Sequence, residues 1–404
     1  MEGGGGVAGQ LKALGSEART GILGRIARGE LGVLQVVFAL ALIWIIFQLA
    51  NDRFLTAVNL TNLMLQVTAV GIISIGVVLV LLLGEIDLSI GAVSGLCAGI
   101  MAVLTVQHGW NPELAILIGL LAGTAIGLIN GFFNTFFGIP SFVVTLAGLI
   151  AWQGALLLVL GDTGTINLPP STITDLTSKF YGPGVGWTLA VLVTAGTFGV
   201  GMLERRRRLK AGLDPAPMAG LVLRTVIIGA VMFVGVAILL SDRGVPLAVL
   251  ILLGLTALFA FLTSRTRFGR HIYAVGGNAE AARRAGIPVT RIRVTVFMIA
   301  STMAAAGGIM AASRLIAVNQ SSGSGDILLN AIAGPVIAGT SLFGGRGTVW
   351  SALLGALVIG SISNGMDLLG LESSVKFMIT GGVLLAAVTL DSLARRQRSQ
   401  VSVT

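Results

Sequence analysis

The chain has 404 residues, of which 55% are hydrophobic and 11% are charged, and its mean hydropathy is +0.95. Soluble domains carry roughly a quarter charged residues, so this composition excludes a soluble globular protein, a disordered chain and a disulfide scaffold. It leaves an integral membrane protein, in which the net charge of +9 indicates basic cytoplasmic loops rather than nucleic-acid binding.

Apolar stretches long enough to cross a bilayer, about 20 residues each, recur along the chain. In chain order they are 34–50, 60–83, 88–106, 113–137, 140–160, 186–203, 219–240, 245–264, 294–313, 327–343, 348–369 and 375–393. They predict an all-α polytopic membrane protein with about twelve transmembrane helices over residues 34–393. The stretch 327–343 is short and interrupted by Gly and Pro, which predicts a broken or re-entrant element. The first residues lack the basic, apolar and small-residue order of a cleaved signal peptide.

The basic residues predict the orientation of these spans. Twelve crossings with the amino terminus inside place 21 of the 26 Lys and Arg residues on the cytoplasmic side. The remaining five, on the outside, are Arg53, Lys179, Arg243, Arg314 and Lys376. This asymmetry follows the positive-inside rule and supports an even number of spans. The segment 1–33 and the tail 394–404 are therefore both expected in the cytoplasm.

Three pairs of segments indicate an internal repeat. Residues 84–99 resemble 325–339, residues 118–132 resemble 353–366, and residues 140–148 resemble 374–382, in the same order. The paired segments lie seven crossings apart, which is an odd number, so the two copies are expected to be inverted. Inverted halves around a midplane pathway are common in transporters. Chance similarity between helices rich in Gly, Ala and Leu is the alternative.

Glycines recur every four residues in two of the spans and place small residues along one helix face. The two strips are Gly91, Gly95 and Gly99, and Gly119, Gly123, Gly127 and Gly131. Such strips let helix backbones approach closely in a membrane, so we expect them to pack helices rather than to bind substrate.

The motifs of common catalytic and metal sites are absent from the sequence. It contains no GxxxxGK[ST] phosphate loop, no HExxH, no CxxC and no GxSxG pattern. With one cysteine and two histidines, an internal disulfide is impossible and a His-built metal site is not expected. The chain is therefore predicted to be a transport subunit rather than an enzyme, without cofactor or metal. Its energy must come from a partner protein or an ion gradient.

Two acidic residues, Glu85 and Asp87, interrupt the apolar sequence between the second and third spans in LLLGEIDLSIG. Charged side chains within membrane segments are costly and often functional. One interpretation is a polar element that lines the pathway or its inner mouth, with Glu85 facing the pathway because it has no evident partner. The other is an ordinary loop in which Asp87 caps the third helix.

Asn130 and Asn364 occupy matching places in the two repeats. They are expected either to pair across the pseudo-twofold axis or to form hydrogen bonds that hold neighbouring helices together. Further along the chain, the polar loop 161–185 is expected on the outside.

The cytoplasmic segment 265–293 is the most unusual part of the chain. A pair of glycines interrupts the preceding structure, and Asn278 is a candidate N-cap for the short helix AEAARRAG, which Gly286 and Pro288 end. A helix of this length is not stable alone in water, so it must lie against the membrane domain or be held by a partner. A solvated basic loop is the alternative.

Several of these segments together resemble one known family. AVGGNAEAARRAGIPVTRIRV resembles the cytoplasmic coupling segment of the permease subunits of sugar-importing ABC transporters, in the ribose, galactose and xylose class. GEIDLSIG, PSFVVTLAG, AGTSLFGGRGTV and SNGMDLL are similar to further elements of that family in the same order. The resemblance covers about residues 34–393 and implies a type II ABC importer fold with a core of ten transmembrane helices.

An extra helix pair at about 186–240 resembles the D-xylose permease branch of that family, as do SDRGVP at 241–246 and a Glu in place of Gly at position 85. The resemblance implies import of a monosaccharide, D-xylose or a related pentose, across the bacterial inner membrane by alternating access. The alternative class is an ion-coupled secondary transporter with twelve helices. Glu85 and Asp87 are its candidate coupling carboxylates.

The resemblance also implies partners and site residues. Two copies of the permease form the pathway, a cytoplasmic ABC ATPase, often a tandem protein, uses ATP and Mg, and an extracytoplasmic protein delivers the sugar. The polar loop on the outside is expected to help receive that delivery protein. The candidate ATPase coupling residues are Gly276, Gly277, Asn278, Glu280, Ala281, Ala282, Arg283, Gly286 and Ile287. The candidate pathway or gate residues are Glu85, Asp87, Ser89, Asn130, Ser141, Phe142, Thr145 and Asn364.

Overall fold

A computed structural model describes residues 33–215, 217–383, 385, 386 and 389, which are mostly α-helical. The helices are α1 (Val33–Ala50), α2 (Ala57–Leu82), α3 (Ile90–Val106), α4 (Pro112–Phe136), α5 (Ser141–Leu160), α6 (Thr172–Ser178), α7 (Pro183–Lys210), α8 (Met218–Leu240), α9 (Leu247–Arg265), α10 (Arg267–Gly277), α11 (Ala279–Arg284), α12 (Val289–Leu315), α13 (Asp326–Ile337), α14 (Trp350–Leu368) and α15 (373–383). The predicted cytoplasmic segment before residue 33, most of the end of the last predicted span and the tail 394–404 lie outside the described residues.

Among the residues that the structure describes, four short strands form two antiparallel pairs. β1 (Thr165–Asn167) pairs with β4 (Ala317–Asn319), and β2 (Phe180–Tyr181) pairs with β3 (Val245–Pro246). With α6 between them, β1 and β2 occupy the predicted loop 161–185. That loop is therefore a folded element attached to the ends of several helices.

The predicted spans coincide with helices in the described part of the chain, and eight of these helices are long and apolar enough to cross a membrane. α3 is shorter, at 17 residues, and α13 has only 12. Twelve residues cover about 18 Å at 1.5 Å per residue, which is less than the roughly 30 Å core of a bilayer. α13 contains Pro335 and is followed by nonhelical residues up to Val349. The stretch 327–343 is thus the broken element that its Gly and Pro predict.

The centre of the structure is the antiparallel crossing of α2 and α12. The apolar stretch of α2 is 83% buried, and α12 packs against α2, α3 and α4. A Cβ atom added to Gly76 of α2 would lie 2.7 Å from the carbonyl oxygen of Ala300. A Cβ atom added to Gly307 of α12 would lie 2.7 Å from the carbonyl oxygen of Ala69. Side chains at either glycine would separate the helices, so the close crossing depends on both.

This crossing also supports the predicted inverted repeat. In each helix an alanine precedes a glycine by seven residues, and each glycine faces the alanine of the other helix. Because the helices are antiparallel, a twofold axis in the membrane plane would exchange these two pairs. Inverted-topology repeats have such an axis.

The glycine strip of α4 lies at helix contacts, as predicted, whereas Gly91 and Gly95 of α3 face the backbone of the nonhelical residues Gly323 and Ser322. A Cβ atom added to Gly123 of α4 would lie 2.7 Å from the carbonyl oxygen of Ser301 in α12. One added to Gly99 of α3 would lie 2.8 Å from the Leu156 side chain in α5. Both strips therefore serve close packing, the strip of α4 against neighbouring helices and that of α3 in part against the segment before α13.

The predicted inserted pair, 186–240, corresponds to α7 and α8, which form a hairpin at the edge of the core. Only 11% of the apolar stretch of each helix is buried, and the two pack mainly against each other. Their contact includes Gly229, where an added Cβ atom would lie 3.1 Å from the Thr194 side chain. β3 and a smaller contact with α2 join the hairpin to the core.

Contacts between helix ends define two sides of the structure. The inner side, as we call it, holds the ends of α2, α7 and α9, the starts of α5 and α12, and helices α10 and α11. The outer side holds both strand pairs, α6 and the start of α4. The distribution of basic residues predicts that the inner side faces the cytoplasm.

Candidate functional site

Two helices, α10 and α11, make up the predicted coupling segment on the inner side. α10 is amphipathic, with Gly269, Ile272 and Val275 buried and Arg267 and Arg270 exposed. This helix is absent from the elements predicted from the sequence. Its buried residues recur at i, i+3 and i+6, and this spacing is the signal that identifies a helical face.

α11 begins at the residue that the sequence predicts. The Asn278 side chain accepts a hydrogen bond from the N–H of Ala281 at 2.9 Å. Glu280 forms ion pairs with Arg283 at 3.1 Å and Arg284 at 3.3 Å. These pairs are largely exposed, and such pairs contribute at most about 1 kcal/mol each. Hence the cap and packing against the core, rather than the charges, hold this short helix.

Packing divides the proposed coupling residues into two groups. Ala282 is 5% exposed and belongs to the main hydrophobic core, whereas Glu280, Ala281 and Arg283 are exposed. The core already covers the Ala282 side chain, which argues against its direct contact with an ATPase, and the coupling role of the segment stays a prediction. A partner on the inner side can reach α11 only through the exposed group.

Glycines join α10 to the end of α2. The N–H of Gly345 donates a hydrogen bond to the carbonyl oxygen of Leu82 at 2.9 Å. Gly276, at the end of α10, lies against both groups, and a Cβ atom added there would be 2.8 Å from the Gly345 nitrogen. Tyr273 Oη donates to the carbonyl oxygen of Gly347 at 2.8 Å and fixes the same segment. We call this contact of α10, α2 and residues 339–347 the glycine junction.

The segment 84–89, with the two predicted acidic residues, is bound along its backbone by α5. The N–H of Ile86 donates to Ser141 Oγ at 3.2 Å, and the N–H of Leu88 donates to Thr145 Oγ1 at 3.0 Å. Extended backbone at this position has no helical hydrogen bonds, so side chains must supply the acceptors. Ser141 and Thr145 therefore support this segment.

Asp87 and Asn130 both bind Ser89, the residue that precedes α3. Asp87 Oδ1 accepts hydrogen bonds from the Ser89 N–H at 2.9 Å and from Ser89 Oγ at 2.6 Å. Asn130 Nδ2 donates to Ser89 Oγ at 3.0 Å. The N-cap position belongs to Ser89, so Asp87 stabilises the turn before the helix rather than capping α3 itself. Asp87 Oδ2 is buried, with no hydrogen-bond partner among the described residues.

Glu85 has a partner that the sequence analysis does not identify. Its Oε1 lies 3.1 Å from Nη2 of Arg293, in the second turn of α12. The side chains are 13% and 27% exposed, respectively, so the ion pair is partly desolvated. It joins the α2–α3 connection to the helix that follows the coupling segment. The premise that Glu85 lacks a partner is wrong, and a pathway role for it remains a prediction.

Exchange of this ion pair tests its contribution. Glu85→Gln leaves the Arg293 guanidinium without its counter-charge, and we expect a loss of about 1–3 kcal/mol of stability, between the values for exposed and buried pairs. The exchange Glu85→Arg with Arg293→Glu should recover at least half of that loss. Thermal unfolding of the purified variants gives both values. If the double variant lost as much stability as the single variants Glu85→Arg and Arg293→Glu lose together, the ion pair would not be a stabilising contact.

The remaining pathway candidates lie apart from this network. Asn364 accepts a hydrogen bond from Asn59 Nδ2 at 2.8 Å and donates one to Gln66 Oε1 at 3.4 Å. Asn364 and Asn130 are not paired, so the first expectation for these residues is wrong. Each instead forms hydrogen bonds with a neighbouring segment, which is the alternative role expected from the sequence. Phe142 is 52% exposed at the start of α5 and makes no part of the buried network.

An open cleft on the outer side is lined by residues that the sequence analysis does not select. Thr177 Oγ1 and Ser313 Oγ lie 2.8 Å apart on one wall. Arg243 lies on the other, where its Nη2 donates to Asn62 Oδ1 at 2.9 Å and its guanidinium carbon is 4.6 Å from the centre of the Phe180 ring. Arg243 lies three residues after the end of α8, so the position of the inserted hairpin determines where Arg243 enters the cleft. The strand pairing of β2 with β3 brings Arg243 close to Phe180, and the packing of α6 against α12 brings Thr177 to Ser313.

Comparison with known proteins identifies relatives that are all described as permeases. The profile of the family described as branched-chain amino acid transport system / permease component matches residues 59–388. The xylose transport system permease protein of Escherichia coli (strain K12) is 36% identical over 370 residues, covering 91% of this chain and 93% of that protein. The ribose import permease protein of Bacillus subtilis (strain 168) is 32% identical over 89% of this chain and 94% of its own length. The L-arabinose ABC transporter permease protein of Azospirillum brasilense is 29% identical over 91% of this chain and 90% of its own length. No solved structure gives a significant match.

Proposed function

Because the chain belongs to the branched-chain amino acid transport system / permease component family, we propose that it is the membrane-spanning subunit of an ATP-driven monosaccharide importer. The observation that carries this proposal is the 36% identity to a xylose permease along 91% of the chain. The ribose and L-arabinose permeases match over a similar share at lower identity. We therefore assign a pentose, D-xylose, as the transported sugar.

The importer works as an assembly in the bacterial inner membrane. Two copies of this chain enclose the pathway, and a cytoplasmic ABC ATPase, a tandem protein, binds the exposed residues of α11. This chain binds no cofactor of its own, and ATP and Mg are used by the ATPase. An extracytoplasmic protein delivers the sugar to the outer side. ATP-driven closure of the ATPase moves α10 and α11, and the permease alternates between outward and inward access.

The glycine junction supports this assignment of the coupling segment. In it, Gly276 of α10 lies against the carbonyl oxygen of Leu82 at the end of α2, and α2 is the most buried of the long helices in the described part of the chain. A displacement of α10 is therefore transmitted to the centre of the permease by contacts between backbones. Such contacts are less compliant than those of long side chains.

The carboxylates give less support to an ion-coupled transporter. Glu85 is paired with Arg293, and Asp87 Oδ1 is bound by Ser89. A coupling carboxylate must exchange an ion or proton with the pathway, whereas these two hold an ion pair and a turn. The ABC assignment needs no charge in the path of a neutral sugar.

Sugar uptake tests the proposal. Cells expressing this chain with its ATPase and delivery protein are expected to accumulate labelled D-xylose, and an uncoupler should leave that uptake unchanged while ATP is maintained. Excess D-xylose should compete better than excess D-ribose or L-arabinose. Uptake that collapses with the uncoupler at constant ATP would identify an ion-coupled transporter instead.

Cysteine labelling tests the orientation, with both termini in the cytoplasm. Ser178 is exposed on the outer side, and Ala285 is exposed on the inner side. We expect Ser178→Cys to react with an impermeant maleimide in spheroplasts and Ala285→Cys to react only after permeabilisation. Cys97 is buried and gives a low background. Ser171 is less suitable because it occupies the N-cap position of α6 and its Oγ is buried. The reverse labelling pattern would invert the topology.

A further inference from the structure

The inner end of α7 extends beyond the thickness of a membrane. α7 has 28 residues, which correspond to about 42 Å, whereas the hydrocarbon core of a bilayer is about 30 Å thick. The apolar residues 183–203 are sufficient to cross that core. The last seven residues, 204–210, therefore lie at the level of the lipid headgroups.

This end carries a concentrated positive charge. Residues 204–224 contain six basic and two acidic side chains. The exposed basic residues near the end of α7 are Arg206, Arg207, Arg208 and Lys210. Glu204 is shared between Arg208 at 4.0 Å and Arg265 at 3.5 Å, so one carboxylate serves two guanidinium groups. Successive residues in a helix turn by about 100°, so the consecutive arginines point to all sides of α7, including the sides that face away from the protein.

Little of the α7–α8 hairpin is covered by the rest of the chain. Only 11% of the apolar stretch of α7, and of α8, is buried by the rest of the structure. The positive end of the hairpin is thus placed beside the headgroups of surrounding phospholipids. Basic clusters at the cytoplasmic end of a transmembrane helix attract anionic headgroups, and each basic residue contributes about fivefold to the affinity.

We propose that the inner end of α7 is a binding site for anionic phospholipid headgroups, which hold the α7–α8 hairpin in position. The hairpin has little contact with the core beyond β3, a contact with α2 and the Glu204–Arg265 ion pair, so a lipid at its inner end adds an attachment. Its outer end leads directly to Arg243, which contacts Asn62 and Phe180 in the outer cleft. The lipid on the inner side thereby helps to position a residue on the outer side.

Competition between lipids in nanodiscs tests the site. The full-length chain is reconstituted with phosphatidylglycerol and phosphatidylcholine, and the retained lipid is identified by native mass spectrometry. The wild type should retain phosphatidylglycerol preferentially, and the variant R206Q/R207Q/K210Q should lose roughly a hundredfold of that preference. The matched variant R206K/R207K/K210R keeps the charge and should keep the preference. Raising the KCl concentration should weaken the preference of the wild type without any substitution.

Three results would overturn the proposal. The first is an unchanged preference for phosphatidylglycerol in the glutamine variant, and the second is an unchanged preference of the wild type at high salt. The third is displacement of the lipid by an equal concentration of inorganic phosphate, which would indicate a site for free anions. If the glutamine variant lost its ATPase partner while it retained lipid, the basic end would belong to the ATPase interface instead.

Discussion

Substitution of Gly276 by alanine is expected to reduce sugar uptake by roughly tenfold or more. The new Cβ atom would lie 2.8 Å from the Gly345 nitrogen and also press on the carbonyl oxygen of Leu82, two backbone groups that cannot rotate away. Overpacking of this kind typically costs 1–3 kcal/mol, and 1.4 kcal/mol corresponds to a tenfold change in an equilibrium. The hydrogen bond between Gly345 and Leu82 should open, so that α10 no longer moves α2. Initial rates of labelled D-xylose uptake, normalised to the permease in the membrane, measure the effect.

The neighbouring glycine provides a matched control. An added Cβ atom at Gly277 meets nothing within 4 Å, so Gly277→Ala should transport at the rate of the wild type. Equal rates for Gly276→Ala and Gly277→Ala would show that the glycine junction carries no coupling. ATP hydrolysis in proteoliposomes distinguishes uncoupling from loss of the ATPase, because an uncoupled complex continues to hydrolyse ATP.

Substitution of Ala281 and of Ala282 by glutamate should cause two different defects. Ala281 is exposed on α11, so Ala281→Glu should leave the amount and stability of the permease unchanged and uncouple ATP hydrolysis from uptake. Ala282 is 5% exposed in the core. Burial of an unpaired carboxylate costs several kcal/mol, so Ala282→Glu should instead reduce the folded protein in the membrane. Uptake, ATP hydrolysis and the thermal midpoint are measured for each variant.

Ala281→Ser controls for the substitution itself, since it adds one oxygen and no charge, and its uptake should stay normal. Normal uptake in Ala281→Glu would show that the ATPase does not contact this face of α11. A stable, abundant Ala282→Glu protein would contradict the burial of that side chain. Ala281 and Ala282 are adjacent in α11, but one is exposed and the other is buried. Comparing the two variants therefore distinguishes contact with a partner from packing within the chain.

Asn278 and Glu85 show why a sequence pattern predicts some contacts and not others. Asn278 can be recognised as a cap because its acceptor and the Ala281 donor are three residues apart. Glu85 and Arg293 are 208 positions apart, and their contact exists only because the start of α12 lies beside the end of α2. No local pattern contains that information.

The sequence by itself determined the membrane class, the positions of most spans, the broken element at 327–343 and the start of α11. These features depend on hydrophobic length, on Gly and Pro, and on hydrogen bonds between residues close in the chain. The tertiary structure alone decided that Ala282 is covered and that Asn130 and Asn364 bind different partners. It also decided that Arg243 reaches the outer cleft. Those facts depend on which helix faces meet, and in a membrane protein apolar faces toward lipid and apolar faces toward protein have the same composition.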